Sequence, residues 1–271
     1  MINKNNQLIY GPVKVGRFIF DRINSIITRI KKSIEFFYDY LKFKKFLKNQ
    51  KIDKQIEILD HEKICITVIP WLGSAVPWYS VTIALMLYKR GKSICILFDD
   101  MPFGDDKLYH RLQSKLIFNI LIKLPIKLIK LSDYQSLKLS SREVDRLVKL
   151  NSLHATHGEN NLVARRSYEK IIKDQLSLIY SKIAALYEEE KFPQIFLPGG
   201  IWGSSCIFPL FAKKNNTQIT TYDAGESRLV LSVFGVAAQL QDIPYSFNKI
   251  LKNPKEKKFA IQKGFTQLEK R

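Results

Sequence analysis

The segment 64–100 leaves the chain little choice of fold. IleCysIleThrValIlePro (64–70) is an unbroken apolar run rich in β-branched residues. A loop, TrpLeuGlySerAlaValProTrp (71–78), separates it from TyrSerValThrIleAlaLeuMetLeuTyrLysArgGly (79–91), which has helical length and ends on basic residues and a glycine. A second β-rich run, LysSerIleCysIleLeuPheAspAsp (92–100), follows at once. Apolar runs without alternation belong to strands buried on both faces, and such strands pair in parallel with a helix crossing between them. The segment predicts a βαβ unit, and the loop after its first strand stands where α/β sheets bind ligands.

The same order returns towards the C-terminus. GlnIlePheLeu (194–197) reads as a strand, ProGlyGlyIleTrpGlySerSer (198–205) as a loop, CysIlePheProLeuPheAlaLysLysAsn (206–215) as a helix and ThrGlnIleThrThrTyrAspAlaGly (217–225) as a strand with its exit turn. Two such units predict an α/β fold, a Rossmann-like parallel sheet with flanking helices. Between them, 116–130 is a basic and apolar stretch broken by Pro125, and 167–190 is a helical pattern ending in three glutamates. After Gln241 the order fades and no third unit follows.

Ahead of the sheet, residues 14–50 read as a basic amphipathic helix. Ile19, Ile23, Ile26, Ile30, Ile34, Phe37 and Leu41 recur at intervals of three and four, amid ten lysines and arginines opposed by Asp21, Glu35 and Asp39. That pattern suits a helix lying in an anionic membrane interface. It equally suits a helix packed on its own domain or a coiled coil with solvated lysines, and the sequence leaves these readings open. The expected organisation is a basic helical region (1–58), a Rossmann-like α/β domain (59–248) and a polar basic tail (249–271).

The charge balance narrows the partners. The 271 residues carry 44 Lys+Arg against 25 Asp+Glu, a net charge of +19, so an anionic partner is expected. Nucleic acid is disfavoured, because the lysines lie on long apolar helices and no nucleic-acid motif is present. Cys65, Cys95 and Cys206 stand apart in apolar settings, with neither disulfide-framework nor zinc spacing, and fit a reducing cytoplasm. The first ten residues are too polar for a secretory signal. Residues 64–88 and 192–212 are uncharged and long enough to span a bilayer, but Pro70, Gly73 and Pro77 break the first, and Pro198, Gly199, Gly200 and Gly203 the second. Strand, loop and helix are expected there instead.

Four motifs carry possible chemistry. Gly199, Gly200 and Ser204 belong to a loop with the composition of a phosphate cradle, although it matches neither a Walker A nor a dinucleotide fingerprint, and glycines also serve as plain turns. Trp71 and Trp78 offer platforms for a sugar ring or lipid tail, or else cap the core. Asp99-Asp100 and Asp223 to Glu226 both follow strands, so the two acidic groups stand on one edge of the sheet, as a general base or as turn formers. His154 and His157, with Glu159, suit acid/base work or a surface loop; no third metal ligand accompanies them and no metal is expected.

LysArgGlyLysSerIleCysIleLeu (89–97) with the Gly-containing loop before it, LysPheProGlnIlePheLeuProGlyGly (191–200) and LysLysAsnAsnThrGlnIleThrThrTyrAspAlaGly (213–225) resemble the N-terminal half of GT-B-fold glycosyltransferases, particularly bacterial enzymes of capsular and surface polysaccharide assembly. The resemblance covers roughly residues 60–245. It implies a peripheral protein on the cytoplasmic face of the cell membrane that binds a lipid-linked or polysaccharide acceptor while a nucleotide sugar donates the sugar. The acceptor would lie over Gly73, Ser74 and Trp78, with Asp100 or His157 as base. Gly199, Gly200, Ser204 and Glu226 would line the cleft facing the donor. No cofactor is implied beyond the nucleotide sugar as a substrate. The sequence shows no second Rossmann domain, Glu-x7-Glu donor motif or second Gly-rich loop, so the donor half is expected to be either missing or supplied by a second chain; the alternative function is a non-catalytic subunit anchoring a polysaccharide synthase.

Overall fold

A computed structural model describes residues 12–268 apart from 51, 53–55, 59, 72–73, 105–106, 138–141, 157–161, 226–227, 234–235 and 238–241. In chain order the elements are α1 (Pro12–Asn49), β1 (Asp60–Val68), α2 (Val76–Tyr88), β2 (Lys92–Phe98), α3 (Lys107–Leu121), β3 (Lys127–Lys130), α4 (Arg142–Ala155), α5 (Leu162–Glu189), β4 (Gln194–Pro198), α6 (Phe208–Lys214), β5 (Gln218–Gly225), β6 (Arg228–Ser232), α7 (Asp242–Lys252) and α8 (Pro254–Leu268). The strands form one sheet of order β3-β2-β1-β4-β5-β6. All neighbours pair in parallel except β5 and β6, which are antiparallel. This is a Rossmann-like sheet with helices on both faces.

The register explains why the two IleCysIle triplets look alike. Cys65 stands opposite Cys95 and Ile66 opposite Ile96, so each triplet presents its cysteine to one face and its isoleucines to the other. Cys65, Cys95 and Leu97 pack under α4, α5 and α6. Ile66, Ile96 and Phe98 pack under α1, α2 and α3. In α5, Ile172, Leu176, Ile179, Ile183 and Leu186 are buried at alternating intervals of four and three, one continuous stripe against the sheet.

The 116–130 stretch divides around Pro125: α3 ends at Leu121, Pro125 lies in the connection and LysLeuIleLys becomes the short edge strand β3. Two differences from the sequence expectation have physical causes. Beyond 241 the chain forms α7 and α8, whose apolar residues Phe247, Leu251, Phe259, Ile261 and Phe265 are exposed, so their pattern was too sparse to stand out as core. Finally, α1 packs against the domain through Phe36, Tyr40 and Phe43, not through the stripe Ile26, Ile30, Ile34, Phe37 and Leu41, which faces solvent. Among the described residues no helix is long and apolar enough to cross a membrane.

Candidate functional site

The strand order places a crevice. From β1 the chain winds outward to β2 and β3, then returns to lay β4 on the other side of β1. Helices α2 and α3 lie on one face and α4, α5 and α6 on the other, so the connections leaving β1 and β4 diverge and open a gap above their carboxyl ends. A cavity of about 480 Å³ fills that gap, within the roughly 300–1,000 Å³ usual for small-molecule sites. Pro70 and Trp71 line it beyond β1, Asp99, Met101 and Phe103 beyond β2, and Trp202, Gly203 and Ser204 beyond β4. Helices add Lys32 from α1, His110 and Gln113 from α3, His154 from α4 and Tyr168 from α5.

The loop after β4 is shaped by its glycines and held from below. Gly203 has φ of 59°, and a Cβ there would come within 3.3 Å of the Phe103 ring, so both conformation and space select glycine. Its N–H donates to the Asn151 Oδ1 at 2.8 Å, while the Asn151 Nδ2 donates to the Leu147 carbonyl at 2.9 Å. Asn151 is fully buried, which ties the loop to α4. The loop after β2 is fastened to α5 by both ends of one amide: Gly104 N–H donates to Gln175 Oε1 at 2.7 Å, and Gln175 Nε2 donates to the Gly104 carbonyl at 2.9 Å. These clasps bring Phe103 edge-on to Trp202, with centroids 5.3 Å apart, and Tyr168 and His154 complete an aromatic wall around the indole.

Against that wall stands a buried carboxyl. Asp99 is 3% exposed, and burial raises its pKa to about 6, against the lowering effect of the Ser204 hydroxyl beside it and of the Met101 N–H, which donates to Oδ1 at 3.1 Å. The nearby Asp100 charge pushes the same way as burial. Two further buried groups, Gln113 Nε2 and Ser204 Oγ, make no well-formed hydrogen bond among the described residues. Buried donors of this kind are costly unless something supplies a partner. Burial lowers the His110 pKa to about 4, opposed by Asp100, so its imidazole is neutral at pH 7. Its Nδ1 lies 3.3 Å from the Ser114 hydroxyl.

Comparison of the sequence with protein-family models and with curated proteins gives no match.

Of the nine residues that the resemblance assigns to a site, Ser204 is the one that lines the cavity among those described, and Trp71, Asp99 and His154 from the sequence motifs line it as well. Gly73, His157 and Glu226 lie outside the described residues. Trp78 is 4% exposed and stacks between Phe36 and Phe43, with centroids 5.3 and 5.0 Å away, so it serves as the seat of α1. Ser74 Oγ accepts the Val76 N–H at 3.3 Å at the start of α2. The Asp100 carboxylate accepts from Ser132 N–H at 2.9 Å and Ser132 Oγ–H at 2.6 Å, fastening the end of β2 to the turn after β3. Gly199 lies under the Trp71 ring, and Gly200 lies against Val236. The amides of Gly199 and Gly200 donate to the Tyr222 and Pro198 carbonyls, so neither they nor that of Gly203 is offered to a phosphate. Asp223, in β5, is separated from Asp99 by β1 and β4, roughly 14 Å by the strand spacing.

The residues the sequence did not point to are Gln113, His110, Phe103 and Tyr168. They sit on helices or loops whose patterns look like ordinary solvent or core faces, and only the return of β4 beside β1 brings them together.

Proposed function

We propose that this cavity is the acceptor site of a GT-B-like glycosyltransferase that works at a membrane surface in surface-polysaccharide assembly. The observation that carries the reading is a carboxyl with the Ser204 hydroxyl beside it and the Gln113 Nε2, unpartnered among the described residues, all buried and facing a cavity walled by aromatic rings at the topological switch point. A sugar answers both halves of that description. Its C–H face stacks on indole and phenol rings, and its hydroxyls supply partners for Gln113 Nε2, Ser204 Oγ and the Asp99 carboxyl. As an acceptor hydroxyl oxygen bonds to the anomeric carbon of a nucleotide sugar, the bond to the diphosphate breaks, the nucleoside diphosphate leaves and Asp99 takes the hydroxyl proton. A base with a pKa near 6 is mostly ionised at pH 7 and still an effective proton acceptor.

The test is calorimetric titration of the chain with monosaccharides, a short-chain lipid-linked sugar and UDP-, GDP- and CMP-sugars, repeated on Asp99→Asn and Gln113→Leu. Acceptor-type sugars bind, and both substitutions weaken them by about tenfold, the worth of one or two buried hydrogen bonds. Sugar binding unchanged by either substitution, or no sugar binding at all, overturns the reading. A second reading, a non-catalytic subunit that anchors a polysaccharide synthase, draws support from the internally bonded amides of Gly199, Gly200 and Gly203. It predicts membrane binding with no sugar affinity in any variant.

A further inference from the structure

Helix α1 carries two apolar faces, and the fold uses one. Phe36, Tyr40 and Phe43 are buried against α2 and α3, with Leu47 packed beside them. The second face contains Ile26, Ile30, Ile34, Phe37 and Leu41, each between 45% and 65% exposed, with Ile27 and Tyr38 on its flank at 57% and 59%. Phe37 and Leu41 each follow a buried residue by one position, so the second face is turned about 100° from the first. It cannot reach the domain without unseating Phe36 and Tyr40. On the helix α3 packed beside it, Leu108 and Leu112 are also exposed, at 65% and 53%. An exposed apolar row of this length marks an interaction surface.

The charges on the same helix identify what it meets. Continued at the same spacing, the stripe passes from Leu41 to Lys44 and Lys48, and Lys31, Lys42 and Lys45 flank it, within a chain of net charge +19. A second copy docked here in the same direction would bring these lysines against their equivalents. An anionic bilayer instead takes the isoleucines below its headgroups and the lysines among them, each lysine contributing about 1 kcal/mol near such a surface. We propose that the outward face of α1, with Leu108 and Leu112 of α3, is the surface by which the protein lies on an anionic membrane. The same two helices supply Lys32, His110 and Gln113 to the cavity, with Lys32 on the far side of α1 from Ile30 and Ile34, so docking places the cavity about one helix diameter from the headgroups. The inference deepens the acceptor-site reading by fixing the side from which a lipid-linked substrate arrives, and it rests on that reading for this last step alone.

Sedimentation of the full chain with phosphatidylcholine vesicles, with and without phosphatidylglycerol, tests it. Three variants accompany the wild type: Ile30→Ser/Ile34→Ser/Phe37→Ser, Lys44→Gln/Lys45→Gln/Lys48→Gln, and Asp99→Asn. Because the first two change exposed side chains, apart from the half-buried Lys44, their circular dichroism should match wild type and their melting should stay close to it. The wild type and Asp99→Asn bind phosphatidylglycerol vesicles alike. Each triple variant loses roughly tenfold or more in affinity, while its binding of soluble sugars is unchanged. Loss of sugar binding in Asp99→Asn with vesicle binding intact separates the two sites. Wild-type-like vesicle binding by the serine variant overturns the proposal, as does absence of vesicle binding by the wild type. So does a wild-type dimer, seen by light scattering, that the serine variant disperses; that result would make the face a contact between copies.

Discussion

Asp99 sits where burial and hydrogen bonding oppose each other, and the balance sets a pH dependence. Its folded pKa of about 6 lies above the ordinary 3.8, so the folded state holds this proton more tightly than the unfolded chain does. The stabilisation is fully present below about pH 4 and is lost as pH rises through 6, above which the buried charge opposes folding. Asp99→Asn is therefore expected to raise stability at pH 8 by on the order of 2–3 kcal/mol relative to its effect at pH 4 while weakening sugar binding, a divergence that melting curves at the two pH values would record. Equal effects at both values would mean the carboxyl is solvated. His110 runs the other way, since its depressed pKa costs stability as pH falls from 6.5 towards 4, and comparison of variant with wild type at each pH cancels it. The AspAsp pair was visible in the sequence, but which carboxyl faces the cavity was not. Adjacent residues at a strand end point apart, and the partner that claims Asp100 is Ser132, 32 positions away. Asn151 illustrates the same limit. Nothing in a helical Leu-Asn-Ser marks it as the support of Gly203, yet Asn151→Ala should cost about 1–3 kcal/mol in denaturant unfolding through an unsatisfied buried amide. It should also weaken ligand binding, because Ser204 is the next residue.

At the scale of elements, the βαβ units were legible because both signals they need are local: an uninterrupted apolar run and a helix closed by basic residues, Lys-Arg-Gly in the first unit and Lys-Lys-Asn in the second. The role of α1 was not. Its sequence holds two apolar stripes interleaved one residue apart, and the longer one, the isoleucines, dominates any periodicity while the shorter aromatic one makes the packing. Trp78 is the receptor for that aromatic face, with Phe36, Phe43 and Tyr40 all within 6.3 Å by ring centroid. Trp78→Ala removes the seat and should destabilise by roughly 3–5 kcal/mol. Its mark beyond lost stability would be early proteolytic cleavage within α1, followed by mass spectrometry under native conditions. A variant that unfolds as one unit with α1 still protected would show that the helix is held by more than this aromatic stack.

For the whole molecule, a Rossmann-like sheet could be read from two βαβ units, but not the return of β4 beside β1, because strand order depends on contacts more than a hundred residues apart, such as Thr67 Oγ donating to the Phe196 carbonyl at 3.2 Å. That return makes β1 the centre of the sheet and predicts how the molecule comes apart. Cys65 and Cys95 face each other across β1 and β2 and are fully buried, and burial holds the Cys65 thiol well above its ordinary pKa. Cys206 is also buried, its pKa pushed up to about 12, but it follows the cavity-lining Ser204 by two residues, donating to the Gly203 carbonyl at 3.0 Å. Thiolates react and thiols do not, which protects Cys65 and Cys206, while the hydrogen bond from the Cys65 thiol lowers the Cys95 pKa and burial alone shields that group. None of the three should be labelled readily in the native protein at pH 8. In rising urea Cys206 should react first, through opening of the cavity loop, and a bound sugar should slow it. Cys65 and Cys95 should react together, at the rate of global unfolding. Pulsed thiol labelling with mass spectrometry distinguishes the steps, and labelling of Cys65 in step with Cys206 would mean that the cavity and the central strands open as a single cooperative unit.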